Sequence, residues 1–160
     1  MSLLLLVGAA PPRHAKSHAA ARREIIAIYF GTLGTDEESG MTAKVPAMKA
    51  AIQTQASQKN FDFRSLGVSL EPSVEDGIRD LALLGPFDQV SVGGNWSNEM
   101  VLRYLGARTD RKHAMIPQIL LLERMVDMDG VSVGAERVRA RYTGVKEIST
   151  WVDGGAAIPR

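Results

Sequence analysis

Three adjacent carboxylates, Asp36, Glu37 and Glu38, lie in the stretch "GTDEESGMTAKVP", directly after the apolar run "EIIAIYFG". Carboxylate oxygens are the natural ligands of hard cations such as calcium and magnesium, and an acidic loop also docks basic partners. The same residues at the start of a helix have a simpler use. Each contributes about 0.3–1 kcal/mol by facing the positive end of the helix dipole. Three consecutive carboxylates cannot all point at one ion, so helix capping accounts for them with fewer demands.

Other chemistry-bearing residues form no complete constellation. His14 and His18 are spaced to share a helical face, but no third ligand stands near them. "DMDG" is like a fragment of a calcium loop, yet the residues after it are apolar and no glutamate closes the site, so it reads as a hairpin turn. "GGNWSNE" offers Gly93 and Gly94 as a backbone nest for an anion. The structural reading is a strand end and a helix cap, with Trp96 packed on the sheet edge. Asn95-Trp96-Ser97 is also a glycosylation sequon, meaningful only in a eukaryotic secretory setting. No serine has a G-x-S-x-G context, and His113 falls in a polar segment, which argues against a hydrolase. We assign no metal and no cofactor.

The composition narrows the function classes further. The chain has 160 residues, 45% hydrophobic and 23% charged, which suits one globular domain with a real core. Its formal net charge is +1, without the clustered Lys and Arg excess that nucleic acid requires. There is no cysteine, which removes disulfides, thiolate metal sites, iron–sulfur clusters and a cysteine nucleophile. The N-terminal run "LLLLVGAA" is far shorter than the ~20 residues that span a bilayer. We take residues 1–23 as a tail or a signal or anchor remnant, and 24–160 as the folded domain. Export to the periplasm follows if the apolar run is a clipped signal.

The carboxylates need elements to position them, and the pattern from Glu24 onward supplies these. "EIIAIYFG" is β-branched and aromatic and reads as a buried strand. From about Thr42 to Lys59, Val45, Met48, Ala51 and Ile52 recur at helical spacing, with Pro46 inside the helix and expected to kink it unless it lies in the first turn. "FDFRSLGVSLE" is a strand, and "SVEDGIRDLALLG" a helix with Ser73 as N-cap and Asp76 three residues on. "FDQVSVGG" is a short strand, and "SNEMVLRYLG" a helix capped by Ser97 or Asn98 and stopped at Gly106. "IPQILLLER" is a nearly continuous apolar strand, which places it inside the sheet. "VSVGAERVRARY" is its partner strand, and "GVKEISTWVDGG" a closing helix with Ile148, Trp151 and Val152 inward. The order β-α-β-α-β-α-β-β-α gives an α/β sandwich with a mixed sheet.

This order, with "IIAIYF", "KVPAMKAAI", "GVSLEPSVEDGIRDLA", "PFDQVSVGGNWSNEMVLRYLGA", "IPQILLLE" and the final "DMDGVSV" and "RARYTGVKEISTWV", resembles the thioredoxin-like superfamily. The likeness is nearest to its TlpA/ResA-type branch of bacterial thiol-disulfide oxidoreductases. It implies a three-layer α/β/α sandwich with a mixed central sheet and a TlpA-type inserted helix and strand. It also implies a cis peptide at Ile116-Pro117 beside the active-site loop, where the backbone of the residue before the proline pairs with bound peptide.

In that family a proline follows the C-x-x-C motif by five residues. Counting back from Pro46 places Glu38, Ser39, Gly40 and Met41 where the motif would stand, in a loop longer than the family's. Exchange begins with thiolate attack on a disulfide sulfur, and neither a carboxylate nor a thioether replaces it. The reading is a cysteine-less thioredoxin-like protein that binds a polypeptide. Its site comprises Asp36, Glu37, Glu38, Ser39, Gly40, Met41, Ile116 and Pro117, and no residue is assigned as catalytic. Two alternatives stay open at this point. One is a carboxylate- or metal-dependent enzyme using residues 36–38. The other is an oxidoreductase family member whose cysteines are absent from this chain.

Overall fold

A computed structural model describes residues 21–32, 34, 40–106, 115–127 and 134–160. Strand β1 (Arg22–Gly31) is followed by helix α1 (Met41–Gln58), β2 (Asp62–Ser69), α2 (Val74–Leu83), β3 (Gln89–Ser91), a 3-10 turn (Asn95–Ser97) and α3 (Glu99–Tyr104). Strands β4 (Gln118–Val126) and β5 (Arg137–Thr143) and helix α4 (Gly144–Asp153) complete the order. The five strands form one sheet in the order β3-β2-β1-β4-β5. β1, β2 and β3 run parallel, whereas β4 is antiparallel to β1 and β5 antiparallel to β4. The mixed α/β sandwich expected from the sequence is present.

β1 is central because it is apolar on both faces. Ile25, Ala27 and Tyr29 enter one core with Met41, Val45, Met48 and Ile52 of α1, Leu81 of α2 and Ile148 of α4. Ile26, Ile28 and Phe30 enter the other with Leu66, Val68, Leu120, Leu122 and Val101 of α3. A run with no polar alternation can satisfy only a strand covered on both sides. The strand begins at Arg22, two residues before the boundary read from the sequence. Arg22 and Arg23 pair with Val126 and Met125 of β4, and Arg22 also faces Asp62 at 3.4 Å.

Helix α1 starts at Met41, with Gly40 as N-cap in the left-handed region at φ 74°. The helix continues unbroken through Pro46 to Gln58. The Val45, Met48 and Ile52 stripe extends to Met41 and Ala56, all buried. In α2, Ser73 caps as expected: its hydroxyl oxygen accepts the Asp76 N–H at 3.0 Å and its O–H donates to the Asp76 carboxylate at 2.7 Å. Asn98 caps α3 by accepting the Met100 N–H at 2.9 Å.

Trp96 differs from expectation. It is 46% exposed on the 3-10 turn rather than packed on the sheet edge. Gly93, Gly94 and Asn95 all have positive φ (78°, 76° and 50°), a sharp chain reversal directly before it. The Gly94 N–H donates to the Pro72 carbonyl at 3.3 Å, so that amide is engaged within the chain, which agrees with the strand-end and helix-cap reading rather than an anion nest. Residues 14, 18, 113 and the 128–130 part of the expected hairpin turn lie outside the described residues.

Candidate functional site

Four strand termini meet at one end of the sheet. Parallel pairing puts Gly31 beside Ser69, and antiparallel pairing puts Phe30 beside Gln118 and Gln118 beside Thr143. The Ile116-Pro117 peptide, which is cis, immediately precedes Gln118 and therefore lies at this end. Gly40 and Met41 open α1 after the loop that leaves β1. Met41 is 0% exposed and belongs to the core. Asp36, Glu37, Glu38 and Ser39 lie outside the described residues.

The cis turn is held by partners from three other segments. The Gly144 N–H, at the β5–α4 junction, donates to the Pro117 carbonyl at 2.8 Å. Gln118 is fully buried and its amide donates to the Met115 carbonyl. The Gln118 Oε1 accepts Nη1 of Arg141 at 2.7 Å, and Nη2 of Arg141 donates to the Tyr104 carbonyl at 3.0 Å. A buried amide with both ends satisfied is rigid, because leaving either unpaired costs ~1–3 kcal/mol. No described residue takes the backbone N–H or carbonyl of Ile116. Met115, next to it, is 53% exposed.

An apolar pocket of about 560 Å³ opens beside this turn, lined by Tyr142, Thr143, Lys146, Glu147, Thr150 and Trp151. Tyr142 and Trp151 stack with centroids 4.0 Å apart and planes 13° apart. The Trp151 Nε1 donates to the Ala157 carbonyl at 3.0 Å, fixing the ring. Glu147 accepts the Thr143 N–H at 2.8 Å. Burial, and then the Glu147 charge, push the Tyr142 hydroxyl pKa upward, so its phenol stays neutral at physiological pH.

A larger cavity, about 700 Å³, lies at the opposite end of the sheet and includes Arg22, Glu24, Asp62, Arg64 and Asp88. Its charges face one another. Glu24, 3% exposed, holds Arg64 at 3.1 Å and Arg124 at 2.6 Å. Burial acts to raise the Asp88 pKa, but hydrogen bonds from the Ser65 N–H and hydroxyl, with Arg64 nearby, prevail and hold it low. This arrangement cross-ties β1, β2 and β4. Among the described residues no three His, Asp or Glu side chains converge as metal ligands, and no helix is long and apolar enough to cross a membrane.

Of the residues expected at the site, the structure gathers Ile116 and Pro117 at the sheet end where β1 empties into the loop before Gly40 and Met41. Gln118, Arg141, Gly144 and the Tyr142–Trp151 stack were not legible as site residues. Gly144 alone carried a signal, as a glycine between a strand and a helix.

No family model and no curated protein matches the chain. Among solved structures it is similar to copper-bound yeast Sco1, with 14% identity over 83% of this chain and 78% of that one, TM-score 0.39. A thioredoxin-like protein from Parabacteroides distasonis matches at 11% identity over 91% of both chains, TM-score 0.37. BsSco, of the Sco family of cytochrome c oxidase assembly proteins, matches at 16% over 83% and 78%, TM-score 0.35. The strand order and directions described above carry the assignment of a thioredoxin-like fold.

Proposed function

We propose that this protein is a non-redox member of the TlpA-type branch, with α2 and β3 as the branch's inserted helix and strand, and that it binds an extended polypeptide beside Ile116-Pro117. The observation that carries the reading is the Ile116 backbone. Its N–H and carbonyl are taken by no described residue, at a turn braced on either side by Gln118 and Gly144. An extended peptide satisfies such groups by main-chain hydrogen bonds, the mode of strand addition. The absence of any thiol in 160 residues supports binding over exchange, since the attacking atom of that reaction is missing. In this reading residues 36–41, which the resemblance sets at the family's active-site loop, belong to the same site.

The test is nuclear magnetic resonance of the full chain, isotope-labelled, during titration with a pooled library of extended peptides. Saturable shifts of the Ile116 and Gly144 amides are expected. Peptides that bind elsewhere, or shifts absent at both amides across the library, would end the proposal.

A further inference from the structure

We infer that Met115 is a modification site: its reversible oxidation to the sulfoxide by hydrogen peroxide weakens peptide binding at Ile116. This rests on the groove reading above and supplies its regulation.

The described methionines divide by access. Met41 and Met48 are 0% and 1% exposed in the core, Met100 and Met125 are partly buried, and Met115 is 53% exposed. Oxidation of a sulfur follows its exposure, so among these Met115 reacts first. The chain has no cysteine, so no thiol of its own competes for the oxidant. In the reaction the peroxide O–O bond breaks and one oxygen forms the S–O bond. The sulfur gives up two electrons, and the other oxygen leaves as water.

Position gives this oxidation a consequence. Met115 immediately precedes the cis Ile116-Pro117 peptide. Its carbonyl accepts the buried Gln118 amide, and its Cε lies 3.9 Å from where a Cβ on Gly144 would stand. The thioether therefore reaches the junction whose N–H braces the Pro117 carbonyl. An apolar, flexible side chain there gives a bound peptide a surface that adapts to it. The sulfoxide is polar and chiral. Its oxygen is an acceptor on the residue before Ile116, so it competes for the N–H that the peptide uses. It also holds water where the peptide must pack.

Hydrogen peroxide treatment of the full chain, followed by peptide mapping with mass spectrometry, gives the order in which the methionines oxidise. Met115 should gain its oxygen before Met41, Met48, Met100 and Met125. The isotope-labelled chain is then titrated with the pooled extended peptides, following the Ile116 and Gly144 amides. Oxidation should raise the midpoint about tenfold. Methionine sulfoxide reductases for both epimers, with dithiothreitol as the reductant, should return it to its starting value. In Met115→Leu, peroxide should leave the variant's own midpoint where it was, which separates Met115 from the other methionines. The inference falls, and the groove reading survives, if Met115 oxidises no sooner than the core methionines or if its oxidation leaves the midpoint unchanged. The same holds if peroxide weakens binding by Met115→Leu as much as by the wild type. If the unoxidised chain shows no shift at either amide, both fall.

Discussion

The Gly144 N–H donates to the Pro117 carbonyl at 2.8 Å, so the turn that ends β5 is tied to the cis turn that begins β4. Gly144 does this with φ +77°, a conformation that L side chains rarely adopt. A Cβ added there would meet only the Met115 Cε at 3.9 Å, an ordinary contact, so the penalty comes from the backbone. Gly144→Ala should lower stability by about 1–2 kcal/mol in urea denaturation and weaken peptide binding at Ile116. An unchanged midpoint would show that the junction is not held as described.

A chain without thiols should leave the reduction of insulin by dithiothreitol at its uncatalysed rate. Turbidity curves with and without the protein should superimpose. Concentration-dependent acceleration would refute the non-redox reading.

The resemblance sets Met41 at the position of the family's second cysteine, and its side chain is within the core formed with Tyr29, Val45 and Ile119. Met41→Ala should therefore cost about 2–5 kcal/mol of stability while peptide affinity of the folded fraction stays the same. A loss of affinity without loss of stability would place the thioether at the ligand instead.

Glu24 is the shared counter-ion of Arg64 and Arg124 and is almost fully enclosed. Removing one member of a buried ion cluster strands the rest, at a cost of roughly 3 kcal/mol. Glu24→Gln should show that loss in denaturant titration near neutral pH. The peptide site, at the other end of β1, should keep its affinity.

Tyr104 donates its hydroxyl to Glu136 at 2.9 Å, and its pKa is raised to about 12 by burial first and then by Glu136. A phenol whose folded pKa exceeds its unfolded value of about 10 contributes stability that is fully present below pH 10. That contribution is lost as pH rises through 12. Tyr104→Phe should remove an absorbance transition with a midpoint near pH 12 and flatten the stability loss between those pH values. A wild-type protein showing no such late transition would contradict this account.

How much of this was visible beforehand follows from the range of each interaction. The short, β-branched apolar run at Ile25–Phe30, closed by Gly31, reads as a doubly covered strand, and the spacing of Val45, Met48 and Ile52 as one helical face. The Ser73–Asp76 cap is legible because its partners are three residues apart. The buried bond between Gln118 and Arg141 spans 23 residues, and the Tyr142–Trp151 stack needs β5 and α4 to fold back on each other. The exposure of Trp96 was misjudged because glycine and asparagine permit positive φ without requiring it, and here three of them in succession adopt it.

By itself the sequence determined the order of elements, the two apolar faces of β1 and the lack of any sulfur nucleophile, because each is a property of residue identity and local spacing. Only the tertiary structure decided that Ile116 is braced by Gln118 and Gly144, that Met41 turns inward, and that an aromatic pocket adjoins the cis turn. The physical reason is that hydrogen bonds and ring contacts between distant segments depend on strand register and helix packing, and register is specified by the burial of a sheet face once the strands come together.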